Sequence, residues 1–174
     1  MADILELKQR LLAEFTRREQ LLNGSRESLV SMLRHDAMSR FNELGFPTIR
    51  NEEWKYANIM PALSIPFESA KPSNLTSDEV CNYYLEGIEA NVLVFINGFF
   101  TPEHSRIISP EVIISNFEAS LKNPTEISHF TKISGYKEDS FVALNTALAN
   151  DGAWISIPDG VILSDPIHVL MLTD

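Results

Sequence analysis

Apolar residues recur at helical spacing through the first part of the chain. Ile4, Leu7, Leu11 and Phe15 stand three or four residues apart, and Leu5 and Leu12 widen the stripe, which predicts a helix over about residues 2–22. Asn23-Gly24 is expected to end it and Ser25 to cap a second helix. The face of that second helix carries Val30, Leu33, Ala37, Phe41 and Leu44, and it stops at Gly45. Two amphipathic helices with a short link predict an antiparallel helical hairpin. Lys8, Arg10, Arg17, Arg18, Arg26, Arg34 and Arg40 alternate with acids and are assigned to its solvated face, as is His35.

Gly45 suits the left-handed residue that terminates a helix, and Pro47 keeps the helix from resuming. Asn51 is a suitable N-cap, and Glu52 and Glu53 place negative charge on the first turn of a new short helix that bears Trp54, Lys55 and Tyr56. Residues 61–74 contain Pro61, Pro66 and Pro72 and read as a linker. Thr76-Ser77-Asp78-Glu79 starts a short helix that Gly87 would stop. Cys81, Tyr84, Leu85 and Ile88 then form its apolar stripe, so Cys81 is expected to be a buried small hydrophobe.

Asn91-Val92-Leu93-Val94-Phe95-Ile96 reads as a buried strand, and Asn97-Gly98 as a type I′ turn that returns Phe99-Phe100-Thr101 antiparallel. Residues 112–115 read as a further strand, and residues 116–135 carry little signal beyond a helical turn near 118–121. Asp139 is expected to cap a helix with Phe141, Leu144 and Leu148 on one side, ended by Asn150-Asp151-Gly152. The period then changes. Apolar runs at 154–157, 161–163 and 167–172 are split by Pro158-Asp159-Gly160 and Ser164-Asp165-Pro166. Short strands divided by such turns suit the sides of a β-solenoid coil.

At 174 residues the chain is long enough for a real core, and 44 % hydrophobic with 22 % charged residues is ordinary for a globular protein. The net charge of −10 is unevenly placed. Residues 1–60 hold nine Lys/Arg and nine Asp/Glu, whereas residues 61–174 hold five and fifteen. That acidic bias opposes nucleic-acid binding, which needs a concentrated basic face. No apolar run is long enough to span a bilayer and no signal peptide is evident, so a cytoplasmic protein is expected.

Catalytic motifs are absent from the sequence: there is no phosphate loop, no Gly-x-Gly-x-x-Gly, no Gly-x-Ser-x-Gly and no His-Glu-x-x-His. The single cysteine excludes an internal disulfide and a Cys-cluster metal site within one chain. Glu52-Glu53, Glu138-Asp139, Asp159 and Asp165 read as cap or turn residues. His104 and His129 lack neighbours at ligand spacing, and His168 is expected to face solvent. No catalytic, cofactor-binding or metal residue is assigned. Trp54, Lys55 and Tyr56 remain as the candidate site, either a packing anchor or a partner contact.

Gly45-Phe46-Pro47-Thr48, followed by Arg50-Asn51-Glu52-Glu53-Trp54-Lys55-Tyr56, closely resembles the N-terminal motif of the SufD branch of the SufB/SufD family of iron–sulfur cluster assembly proteins. Ala57 stands where the usual form has Thr. The resemblance continues at Asp139-Ser140-Phe141-Val142-Ala143-Leu144-Asn145, at Asp151-Gly152 and at Ile157-Pro158-Asp159-Gly160-Val161. It implies a non-enzymatic scaffold subunit that works with a SufB-like paralogue and a SufC-like ATPase in a SufBCD complex. The iron–sulfur cluster belongs to the intact complex, and its residues would lie beyond Asp174. A right-handed parallel β-helix is expected to follow the helical part.

The expected α+β fold is a helical region at 1–60, a mixed α/β region at 61–152, and the first coil of a truncated β-helix at 153–174. The chain is thus expected to be an N-terminal fragment that self-associates through residues 153–174. The competing class is a β-helix enzyme acting on polysaccharide, and the usual clustered carboxylates of that class are not visible in the sequence.

Overall fold

The computed structural model describes residues 2–21, 29–116, 129, 132–149 and 151–174. These fall into two compact units, one within Met1–Glu68 and Ile127–Ala149, the other within Ser69–Glu126 and Asn150–Asp174. The architecture is mixed α+β.

In the first unit, helix α1 (Ala2–Leu21) and helix α2 (Leu29–Leu44) run antiparallel. Their contacts come in reverse order. Lys8 Nζ donates to the Asn42 carbonyl at 2.7 Å, Phe15 meets the His35 ring edge-on at 5.0 Å, and the Ser31 hydroxyl donates to Glu19 at 3.1 Å. The hairpin expected from periodicity is therefore formed. The stop at Asn23-Gly24 and the cap at Ser25 lie outside the described residues.

The buried face of α2 is turned from the one periodicity suggested. Val30, Ser31, Arg34, Ala37, Met38 and Phe41 are buried, whereas Leu44 is exposed. Arg34, expected among the solvated cations, is a clear correction. The reason is a third helix, α5 (Ser140–Leu148), which packs on α2 and leaves its last carbonyls without helical partners. Arg34 Nη2 donates to the Ala149 carbonyl, and Arg18 Nη1 donates to the Leu148 carbonyl at 2.9 Å. Cations at a helix C-terminus also oppose its negative dipole end. Burial pulls the Arg34 pKa below its ordinary value, against the opposing pull of Glu19. Glu14 binds Arg17 and Arg18 at 2.8 and 2.6 Å, and chiefly through Arg17 its carboxyl is held down at about 2.

Helix α5 begins as expected. Asp139 Oδ1 accepts from the N–H groups of Phe141 and Val142 at 2.8 and 2.9 Å. Its most buried residues are Ser140, Ala143, Thr146 and Ala147, rather than the predicted Phe141, Leu144 and Leu148. Small side chains on that face let α2 approach closely, and the larger residues pack around the contact from its flanks. The core joins Phe15, Ala37, Met38, Phe41, Tyr136, Ala143 and Ala147. The Tyr136 hydroxyl donates to Asp36 at 2.7 Å, which pushes the phenol up to about 12.

The second unit is built on strand β1 (Asn91–Ile96). It is central in a three-stranded sheet, antiparallel to β2 (Phe99–Phe100) and parallel to β5 (Ile167–Leu172), with Asn91 opposite Ile167 and Ile96 opposite Leu172. Asn97 and Gly98 both have positive φ, 54° and 83°, as a type I′ turn requires. Strand β3 (Ile113–Asn116) pairs antiparallel with β4 (Ala153–Ser156) in a separate sheet. Residues 161–163, expected as a strand, are irregular, and Ile162 is 94 % exposed. Among the described residues no strand pairs with that short run, so its apolar composition alone does not make it a strand. The turn expected near 118–121 lies outside the described residues.

Before these strands come two short helices, α3 (Met60–Leu63) in the first unit and α4 (Ser77–Cys81) in the second. Thr76 and Glu79 make a reciprocal capping box at the start of α4. Cys81 is exposed, which corrects the expected buried thiol. The helix stops at Cys81 before a continuous stripe can develop, and its buried residue is Val80. Val80 joins Ala90, Val92, Val94 and Ile96 in the second core, while Leu85 and Ile88 are exposed. Asn91 is fully buried. Its Oδ1 accepts from the N–H groups of Ile108 and Ser109 at 3.0 and 2.9 Å, and its Nδ2 donates to the Ser109 hydroxyl at 3.0 Å.

Candidate functional site

The motif around Trp54 starts where α2 ends. Gly45 takes a φ of +66°, and its N–H donates to the Phe41 carbonyl at 2.8 Å, so α2 closes with a left-handed residue. The chain then makes two tight turns. The Asn51 N–H donates to the Thr48 carbonyl at 2.9 Å, and the Trp54 N–H donates to the Asn51 carbonyl at 2.9 Å. Asn51 occupies the N-cap position of the 3-10 turn Glu52–Trp54, but its side chain caps nothing there. Instead Asn51 Oδ1 accepts from the Thr48 N–H at 2.9 Å. The amide faces back into the preceding turn because Thr48 offers a donor within reach.

The three candidate residues part company in the folded chain. Trp54 is half-buried, with its ring 5.4 Å from Phe141 of α5. Phe141 also lies 6.1 Å from Phe46, which meets Phe41 edge-on at 5.2 Å. The two motif segments, at 45–56 and 139–145, therefore meet through this aromatic set. Tyr56 is 93 % exposed. Lys55 Nζ stands 5.6 Å from the centre of the Tyr56 ring and 3.7 Å from Glu52. Both are surface contacts of small energetic weight. Trp54 thus packs inward, while Lys55 and Tyr56 are displayed.

Phe46 and Phe141 were not singled out as site residues, although both lie inside the motif segments. Their apolar character gave no sign that they would flank Trp54. The ring partner of Trp54 comes from the acidic half of the sequence but folds into the same compact unit as α2.

Because Trp54 is only half-buried, Trp54→Ala is expected to lower unfolding free energy by roughly 1.5–3 kcal/mol, less than the cost of a fully buried ring. Tyr56→Ala should change it by less than about 0.5 kcal/mol. Paired urea titrations check both values. Equal losses in the two variants would contradict the division into an anchor and a displayed pair.

His104 Nδ1 pairs with the Ser77 hydroxyl at 3.2 Å and its Nε2 with the Leu75 carbonyl at 3.0 Å. His168 is half-buried opposite Val92, and His129 is exposed. An open cleft of about 430 Å³ is lined by Asp36, Ser39, Arg40, Glu43, Lys137 and Glu138. Its charges are mixed, and Arg40 is tied to Glu43 at 2.7 Å and to the Lys137 carbonyl. Among the described residues, no group of three or more His, Cys, Asp or Glu could hold a metal ion, and no helix is long and apolar enough to cross a membrane.

Residues 5–169 match the family model described as the SufBD protein N-terminal region. The chain is also 32 % identical over 159 residues to an iron–sulfur cluster assembly SufBD family protein of Synechocystis sp. (strain ATCC 27184 / PCC 6803 / Kazusa). That alignment covers 89 % of this chain and 35 % of the relative, so the chain spans about a third of that protein's length.

Proposed function

The chain belongs to the SufBD family, and from that premise we propose that it serves iron–sulfur cluster assembly as part of a non-catalytic, SufD-type scaffold in the cytoplasm. The observation that carries this reading is the family match across residues 5–169, which spans both motif segments. The run of Gly45-Phe46-Pro47 into Asn51-Glu52-Glu53-Trp54-Lys55-Tyr56 supports the SufD-type assignment. A SufB-like paralogue and a SufC-like ATPase are the proposed partners in a SufBCD complex. Lys55 and Tyr56 are the proposed contact, because they are displayed on a turn that Trp54 anchors to α5.

The right-handed parallel β-helix is part of the same proposal. The parallel pairing of β1 with β5 supports it, since parallel ladders join successive coils of such solenoids. The family match gives no support to the alternative of a polysaccharide-acting enzyme.

A scaffold of this kind is expected to hold no cluster through this chain and to hydrolyse no ATP. One exposed thiol cannot supply the four ligands a cluster usually takes, and the sequence has no phosphate loop. Anaerobic reconstitution of the purified chain with iron and sulfide, read by visible absorption, should leave no stoichiometric chromophore. A stoichiometric cluster lost in Cys81→Ser would overturn this expectation.

A further inference from the structure

Asn97 is the corner at which three segments of the second unit are tied together. Its backbone N–H donates to the Leu172 carbonyl at the end of β5 at 2.9 Å. Its side-chain Nδ2 donates to the Lys71 carbonyl at 3.0 Å, and its Oδ1 accepts from the Asp174 N–H at 2.9 Å. Both ends of the carboxamide are thus engaged by main-chain groups from distant parts of the sequence. Asn97 is also followed by Gly98, and the pair sits at φ 54° and 83° in the type I′ turn. Asparagine is among the thermolabile residues, and glycine is the successor that shields it least. With no Cβ beside it, the glycine nitrogen has open access to the asparagine side-chain carbon. Gly98 is exposed, and a Cβ added there would meet nothing within 4 Å, so neighbouring groups do not screen the turn from water. What restrains the pair is the carboxamide itself. To close a ring onto its own backbone it must turn away from Lys71 and Asp174.

We propose that Asn97 is a site of spontaneous deamidation, held in check by its bonds to the Lys71 and Asp174 main chain and released when this corner opens. The Gly98 nitrogen attacks Cγ of Asn97, and a new N–C bond forms. The Cγ–Nδ2 bond breaks, and the proton from the Gly98 N–H ends on the departing ammonia. Water then opens the resulting succinimide at either carbonyl, leaving aspartate or isoaspartate. No oxidant or cofactor takes part. Either product unlocks the corner, because a carboxylate has no N–H to give to the Lys71 carbonyl. Isoaspartate also adds a methylene to the backbone of a two-residue turn, which the pairing of Phe95 with Phe100 and Ile96 with Phe99 cannot accept unchanged. The proposal does not depend on the function of the family.

Peptide mass mapping of the purified chain during incubation at mildly alkaline pH is the test, run on the native protein and in urea. Asn23-Gly24 is the same dipeptide and serves as the internal reference. In urea the two asparagines should react at similar rates. In the native protein Asn97 should react at least roughly tenfold more slowly than in urea, because only the opened fraction reacts. Asp174→Pro removes the N–H that holds Oδ1 and should speed the native reaction at Asn97 roughly threefold or more. Asp174→Ala keeps that N–H and should react at nearly the parent rate, with circular dichroism verifying that both variants fold. An Asn97 that stays inert in urea while Asn23 reacts would overturn the proposal. So would equal rates at Asn97 in the native and unfolded chains, or a folded Asp174→Pro variant no faster than Asp174→Ala.

Discussion

Asn91→Leu is expected to lower the unfolding free energy by roughly 3–5 kcal/mol, a large loss for a single polar residue. Asn91 is fully buried in the central strand, and its amide is the partner of two backbone N–H groups, at Ile108 and Ser109, and of the Ser109 hydroxyl. Leucine has a similar volume, so packing is nearly preserved and the loss reports on polar groups left without partners. Each such group costs about 1–3 kcal/mol when it stays dry. Asn91→Asp keeps the acceptor and loses the donor, and should retain part of the stability. Urea titration followed by circular dichroism measures both. A loss below about 1 kcal/mol for Asn91→Leu would mean that water reaches the 107–109 turn.

The second large effect lies in the helical unit. Phe41→Ala should cost roughly 3–5 kcal/mol, since it empties a fully buried ring site. Phe41 lies in the core formed by α1, α2 and α5, and its ring meets Phe46 edge-on at 5.2 Å. Collapse of that site should loosen Phe46 and, through Phe141, the ring of Trp54. The tryptophan emission should therefore shift to the red in the variant while it is still folded. Phe41→Leu keeps most of the volume and should cost about 1 kcal/mol. An unchanged emission in folded Phe41→Ala would show that the Trp54 turn is held independently of this core.

Local signals carried a good part of the fold. The Asn97-Gly98 turn, the Asp139 cap, the Thr76 start and the Gly45 stop each depend on a few neighbouring residues, and each is found where those residues stand. What failed to show in the sequence is set by partners far along the chain. Arg34 looked like one more cation on a polar face, and the Ala149 carbonyl, contributed from far along the chain, holds it in its buried place. Cys81 fitted an apolar stripe, but α4 ends before that stripe can form. Residues 161–163 had strand composition, but among the described residues no neighbouring ladder holds them.

The candidate site was legible in part for the same reason. Trp54, Lys55 and Tyr56 stood out as two rings and a cation on one short turn. Which ring packs and which is displayed depends on Phe141, far along the chain. Periodicity could not separate them, because a three-residue turn has no period to read.

The proposed role, a scaffold partner rather than an independent catalyst, can be checked by co-purification. The protein would be expressed with the SufB-like and SufC-like proteins of its own organism, with the affinity tag on the ATPase. Stoichiometric retention through gel filtration is the expected result, with retention reduced by Tyr56→Ala and the fold unchanged. An ATPase recovered with its SufB-like partner and none of this protein would contradict the account.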